Sequence, residues 1–268
     1  MACGFILLPS VAHAVQHIVV SLPVQLESVQ KVASAHATVM SILPPGIEPE
    51  LYTIKPAQLR KFKDVSLYIT YNTLPFEKKC VAFFKKQGTP IIDLSEVFKL
   101  ADDNPHVWLD INLMRHQSTQ LLNNLIYNDP DNVIEYKNNH DRYLMELEDV
   151  QLKLVHQLRP LKKSTVLMAH PFLVYFFSPH DINQLILESH GHKPSLKRVK
   201  EIKRQAKDKD VKLMIVQPHS SNSLVEKLVK ELHLQVIEVD PLPHPFSQKM
   251  LEIGQKLKEA TPHEYNQN

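Results

Sequence analysis

Glycine is nearly missing from this chain. Five occur in 268 residues, where average usage near 7% predicts about 19. Gly4, Gly46, Gly88, Gly191 and Gly254 lie far apart. That spacing leaves no G-x-G-x-x-G turn, no Walker A loop and no G-x-S-x-G elbow, and argues against phosphate-cradling chemistry. Cysteine is as scarce. Cys3 and Cys80 form no C-x-x-C and cannot build a zinc ribbon. There is no H-E-x-x-H. No run after the N-terminus approaches the roughly 20 apolar residues that a membrane span needs. A net charge of +2 is too small to argue for a nucleic-acid partner.

What is present is an ordinary globular composition, with 43% hydrophobic and 22% charged residues. This is enough chain for a real core. Proline is enriched, with 19 against about 13 expected. Histidine reaches 15, and no glycine- or cysteine-based motif accounts for it.

The N-terminus reads as an export signal over residues 1–14. An apolar run, Gly4 to Val11, precedes Ala12-His13-Ala14, with small residues at the A-x-A cleavage positions. A basic leader is missing, since only Met-Ala-Cys comes before Gly4, so a buried first strand is the competing reading. Cys3 lacks a lipobox context, and lipidation is not expected. After cleavage Cys80 would stand alone, with no intrachain disulfide.

Beyond that point short β-branched runs alternate with helical patterns. Val15–Leu22, Val39–Leu43, Val65–Thr70 and Pro90–Leu94 read as strands. Val24–Ala35, Pro56–Phe62 and Phe76–Lys86 read as helices, the last stopped by Gly88. Asn112–Tyr127 is a helix, and Asp131 is a candidate N-cap for a very long one ending near Arg159-Pro160. The alternation resumes with strands at Thr165–Ala169, Leu213–Val216 and Val236–Val239. Phe172–Phe177 reads as helix, Ser195 caps another, and Ser223–Leu232 and Phe246–Ala260 follow. The pattern predicts an α/β protein with two small parallel-sheet lobes, 15–128 and 161–268, joined by a linker helix over 129–160.

In open parallel sheets, ligands bind beyond the carboxyl ends of the strands. Those ends carry Glu48 and Glu50, His106 and Asp110, His170, and Asp240. Two imidazoles and two carboxylates converging on a cleft would suit a divalent first-row metal. Each alone has a plain structural reading; together they make a ligand set.

The chain resembles the metal-binding solute receptors of bacterial ABC transporters, the zinc and manganese uptake class. The markers are LPPGIEPELY (43–52), NPHVWLD (104–110), MAHPFLVYF (168–176), HKPSLKRVKEI (192–202), VQPHSS (216–221) and VDPL (239–242). The likeness runs from about His17 to about Lys258. It implies a periplasmic, monomeric, non-enzymatic protein that captures a metal between two lobes and passes it to an inner-membrane permease. The ligands it implies are Glu50, His106, His170 and Asp240. Glu50 departs from the family's pattern, which places a histidine there. Asn104 stands for an aspartate and Ile111 for a proline, and the segment from Asp93 to Pro105 is short and holds no histidine.

Zinc is the expected cargo, because His170 stands where manganese members resemble one another in having glutamate. Manganese is the alternative, because Glu50 adds oxygen to the set. Glu48 and His36 are alternative donors should Glu50 not serve. An adhesin-like or repurposed receptor is the second functional reading, and a metallohydrolase the third. His190 and His192 are expected on a turn before the Ser195 helix, His219 and His244 near strand ends with the cleft lining as their alternative place, and His116, His140, His156 and His233 on helix surfaces. The basic run Lys193–Lys212 reads as a solvated helix face, and Trp108 as a packing anchor for the His106 loop.

Overall fold

The structure, a computed structural model, describes residues 15–101, 103–188, 194–218 and 223–261. The export signal expected over 1–14, the His190–His192 pair and His219 lie outside the described residues. The first four strands are β1 (Gln16–Val20), β2 (Ala37–Ser41), β3 (Leu67–Thr70) and β4 (Ile91–Asp93), paired in parallel in the order β2-β1-β3-β4. The second four are β5 (Thr165–Met168), β6 (Asn183–Ile186), β7 (Leu213–Val216) and β8 (Gln235–Glu238), also parallel, in the order β6-β5-β7-β8. The central strands β3, β5 and β7 are buried at every residue. That is why they read as continuous apolar runs and not as alternating ones.

Helices link successive strands: α1 (Leu26–Ala33), α2 (Pro56–Leu59) and α3 (Pro75–Gln87) in the first unit. Then come α4 (Ile111–Asn128), α5 (Val133–Leu158), α6 (Val174–Phe177), α7 (Leu196–Asp208), α8 (Ser223–Leu232) and α9 (Phe246–Glu259). Ser195 caps α7 by accepting from Arg198 N–H, as its place before the apolar periodicity indicated. Gly88 closes α3 at φ 72°.

The long helix differs from expectation at its start. Asp131 is not its cap: residues Pro130–Asn132 form a 3-10 turn, and Asn132 precedes α5. The proline holds φ but cannot donate, which suits a tight turn before the α-helix proper. The 26 residues of α5 span about 39 Å. Tyr136, His140, Tyr143, Leu147, Val150, Leu154 and Leu158 form its buried stripe. This stripe packs on α1 and α4 at one end and on α9 at the other. Gly254 permits the α9 contact, because a Cβ there would lie 2.7 Å from Leu154 Cδ2. His140, expected on the surface, is only 6% exposed; it sits on the buried stripe and contacts Thr119 Oγ1. His233 is not helical: it follows α8 with φ 51°, at the left-handed position where helices commonly stop.

One continuous apolar core contains Val19, Ile69 and Trp108 from the first unit, Leu147 and Leu154 from α5, and Met168, Phe172, Ile215 and Met250 from the second. A smaller cluster lies between the second sheet and helices α7 and α8. The carboxyl ends of both sheets carry the segments that form the site.

Candidate metal centre

Glu50 is delivered by the loop after β2. The loop turns at Gly46, whose φ of 74° lies in the left-handed region that costs side-chain-bearing residues most. Two further turns follow, Leu51 N–H to Glu48 O and Tyr52 N–H to Pro49 O, both 3.3 Å. Tyr52 then anchors the loop edge-on against Phe76.

His106 comes from the segment between β4 and α4. The 3-10 turn Val107–Leu109 behind it is fully buried. Trp108 is 0% exposed and its indole N–H donates to Pro241 O at 2.7 Å, so it packs as expected and also joins the two sheets' loops. His170 follows β5 directly, at the point where the second sheet's strand order reverses. Phe172 behind it is buried.

The structure brings Glu50, His106 and His170 together. One ligand atom from each lies within 4.8 Å of the others. Glu50 Oε1 is 2.6 Å from His106 Nε2 and 3.3 Å from His170 Nε2. Both imidazoles therefore point Nε2 at the carboxylate, and their other nitrogens are occupied. His106 Nδ1 lies 2.7 Å from Asn104 Oδ1, and His170 Nδ1 lies 2.9 Å from Glu188 Oε2. A carboxylate oxygen and an amide oxygen can only accept, so every ring nitrogen of the two histidines faces an acceptor. This is the outer-shell arrangement that orients metal-binding histidines.

Burial and charge set the protonation. Burial pushes the His106 imidazole below its usual range, against the opposing pull of Glu50, so the ring is neutral. Burial also opposes charge on His170, but hydrogen bonds to Glu188 and Glu50 prevail and raise it to about 9. Burial works against the Glu50 carboxylate as well, yet the two imidazoles beside it, His106 and then His170, hold it well below the usual carboxylate range. At neutral pH the three groups are a carboxylate, an imidazolium and an imidazole.

The fit to a metal is specific. His106 Nε2 and Glu50 Oε2 are buried without a hydrogen-bond partner, an expensive state for polar atoms. A neutral His106 has one ring proton but faces two acceptor oxygens, Asn104 Oδ1 at 2.7 Å and Glu50 Oε1 at 2.6 Å, so one close contact is uncompensated, and a metal ion held at Nε2 would relieve it. In a tetrahedral zinc shell, neighbouring N and O ligands are about 3.3 Å apart. The His170–Glu50 pair already has that spacing; Glu50 would have to draw back from His106.

Asp240 is not in this group. It follows β8 and is exposed, with Oδ1 accepting from Leu242 N–H at 2.9 Å. Glu48 stands at the exposed rim, its carboxyl raised by partial burial and then by the Glu50 charge. His36 precedes β2, at the opposite sheet edge, and pairs with Glu135 at 3.1 Å, so it is no substitute ligand. Glu188 and Asn104 are the two contributors that sequence reasoning did not assign a role. Glu188 ends an apolar strand run like the chosen ligands, and Asn104 lies two residues before His106; those were the available signals.

Comparison with known proteins agrees with this geometry. The family model described as ZnuA, zinc-uptake complex component A periplasmic, matches residues 18–256. A putative metal-binding protein of Thermotoga maritima is 28% identical over 222 residues, 82% of each chain. The high-affinity zinc uptake system protein ZnuA of Bacillus subtilis is 21% identical over 240 residues, 81% of this chain and 75% of its own. A crystal structure of ZnuA superposes with a TM-score of 0.83 at 26% identity, covering 92% of this chain and 99% of the other. With the match running through both sheets and the linking helix, the chain belongs to the zinc-uptake complex component A family of metal-binding solute receptors.

Proposed function

We propose that this protein captures a divalent transition metal and delivers it to the membrane permease of an ABC transporter. Zinc is the favoured cargo and manganese the alternative. The observation that carries the reading is the pair of buried histidines, each with Nδ1 satisfied by an outer acceptor and Nε2 aimed at one carboxylate.

Glu50, His106 and His170 are the proposed first ligands. Asp240 is the proposed fourth, reached when the 240–245 segment turns its carboxylate from Leu242 N–H toward the histidines. Two nitrogens and carboxylate oxygens suit zinc well; the oxygen share keeps manganese within reach. Four protein ligands leave no open position for a metal-bound water, which favours a carrier over a catalyst. The export signal, a periplasmic location, a monomeric state and the lobe boundaries 15–128, 129–160 and 161–268 belong to the same reading. Among the described residues, no helix is long and apolar enough to cross a membrane. The adhesin-like alternative with a lost metal site is not favoured, since three of the four proposed ligands stand together.

Untagged protein with zinc at a thousandfold over Kd should gain about 4 kcal/mol of stability. Combining His106→Ala with His170→Ala should abolish that rise. An unchanged melting curve for both proteins, or elemental analysis showing no metal taken up, would refute the proposal. Competition between Zn²⁺ and Mn²⁺ on the wild type ranks the cargoes.

A further inference from the structure

We propose that Glu27 is a positioning residue for the metal centre: from α1 in the first unit it fixes the far end of the proline-rich strut that carries Asp240 in the second. The inference rests on the receptor reading above, in which Asp240 is the fourth ligand, and concerns the same site.

The strut is residues 240–247, Asp240-Pro241-Leu242-Pro243-His244-Pro245-Phe246-Ser247, between β8 and the start of α9. Prolines at alternate positions hold φ and offer no N–H. The strut is therefore stiff but poor in donors for bonds of its own. Two groups of the first unit hold it. At the Asp240 end, the Trp108 indole N–H donates to Pro241 O at 2.7 Å, and the Trp108 ring lies 5.0 Å from the His106 ring. At the α9 end, the two oxygens of the Glu27 carboxylate accept from Ser247 N–H at 3.2 and 3.1 Å, and one of them also accepts from Ser247 Oγ. Ser247 is the second residue of α9, so its N–H has no partner within the helix.

A helix start is usually capped by a neighbouring Ser, Thr, Asp or Asn. Here the residue before α9 is Pro245, which offers no side-chain cap. The cap comes instead from a carboxylate 220 residues away. Glu27 is only 4% exposed and Ser247 5%. Burying a carboxylate is costly, and a local cap would satisfy the same N–H without it. What the remote carboxylate adds is a fixed link between α1 and the strut. Tyr143 of α5 lies near the same carboxylate, its phenol pushed up by burial and then by the Glu27 charge, so the link is seated on the linking helix. With both ends held, the Asp240 backbone keeps its place beside the His106 loop. Only its side chain has to turn, leaving Leu242 N–H, now at 2.9 Å, for the metal. Without Glu27 the strut can pivot about the Trp108 bond, and Asp240 is no longer placed in advance.

The test is a mutant cycle on the full chain: wild type, Glu27→Ala, Asp240→Ala and the double variant, with zinc affinity read by competition with a chelator. Glu27→Ala should weaken binding roughly tenfold, and should weaken it no further where Asp240 is already alanine. An equal loss in both backgrounds, which a general loosening of the fold would give, overturns the proposal, and so does no loss at all. Should Glu27→Ala not fold, Ser247→Ala replaces it; it removes only the Oγ donor and should give a smaller loss that again vanishes without Asp240. A second measurement is made without metal. Amide hydrogen exchange at Leu242 should quicken in Glu27→Ala or Ser247→Ala while β7 stays protected as in wild type; unchanged exchange at Leu242 overturns the proposal. The two readings fail separately. Wild type that binds no zinc refutes the receptor reading and leaves the strut to the exchange measurement. Asp240→Ala with wild-type affinity overturns this proposal and leaves Glu50, His106 and His170 as ligands.

Discussion

Without metal, His170 carries a proton between Glu188 and Glu50, and that fixes how the protein's stability responds to pH. His170 is raised to about 9 in the folded chain, against about 6.5 when unfolded. A group raised on folding contributes fully below its unfolded value and loses that contribution as pH climbs through its folded value. Between pH 7 and pH 9 the metal-free protein should lose about 2 kcal/mol from this group alone. At about 2–4 °C per kcal/mol for a chain near this size, the melting temperature should fall by roughly 4–8 °C.

Zinc reverses the logic. The metal needs the Nε2 lone pair, so binding at pH 7 expels close to one proton, and affinity should rise about fiftyfold from pH 7 to pH 9. That gain offsets the loss in the metal-free state. The zinc-loaded protein should therefore melt at nearly constant temperature across this range, and the gap between the two curves should widen. Differential scanning calorimetry with chelator and with buffered free zinc measures both. Titration calorimetry at pH 7 in buffers of differing ionisation enthalpy counts the proton. A metal-free curve that stays flat, together with no proton released, would refute the assignment of a charged His170 held between Glu188 and Glu50.

Three further substitutions probe the frame around the site. Trp108→Phe leaves Pro241 O without its buried donor and should cost about 1–3 kcal/mol in urea unfolding; in wild type, the lone Trp108 lies 5.0 Å from the His106 ring, so its emission should change on zinc addition. Glu77 is 0% exposed and accepts from Thr70 Oγ1 and from the N–H groups of Tyr71, Thr73 and Leu74. Glu77→Gln should cost at least about 2 kcal/mol, measured the same way. Glu50→His exchanges an oxygen ligand for nitrogen and should raise the Zn²⁺-over-Mn²⁺ affinity ratio; an unchanged ratio in competition assays would remove Glu50 from the ligand set.

Seven strands were legible because each is a short apolar run closed by a helix signal; β6, which opens on Asn183 and Gln184, was not. The ligand candidates were legible because parallel sheets place function at their carboxyl ends. What the sequence hid is tertiary. Asp131 has the chemistry of a cap, but the neighbouring Pro130 favours a 3-10 turn and shifts the cap by one residue, to Asn132. His140 could have been placed inside from its spacing with Tyr136, Tyr143 and Leu147; residue type outweighed periodicity. Glu27 on α1 is buried and accepts from Ser247 N–H near the start of α9, 220 residues away. No local pattern announces a pairing of that kind. Asp240 was found by its position at a strand end, yet a strand end does not say which way the side chain turns.

The two sheets share one strand order, and their equivalent ends correspond. β2 is followed by Glu50 and its counterpart β6 by Glu188; β4 is followed by His106 and β8 by Asp240. The two equivalent glutamates end on opposite sides of His170, one at Nε2 and one at Nδ1. Counting only Glu50, Glu188, His170 and His106, the empty site carries one net negative charge at neutral pH. Exchange of the His170 proton for a divalent ion makes the same four groups neutral. A histidine at position 50 would withdraw one of the two carboxylates that stabilise the imidazolium and leave Glu188 alone to hold the proton on His170. Glu50 thus reads as more than a weaker version of a histidine ligand. It lets a buried site stay close to neutral when empty as well as when loaded, at the cost of a metal affinity coupled to pH.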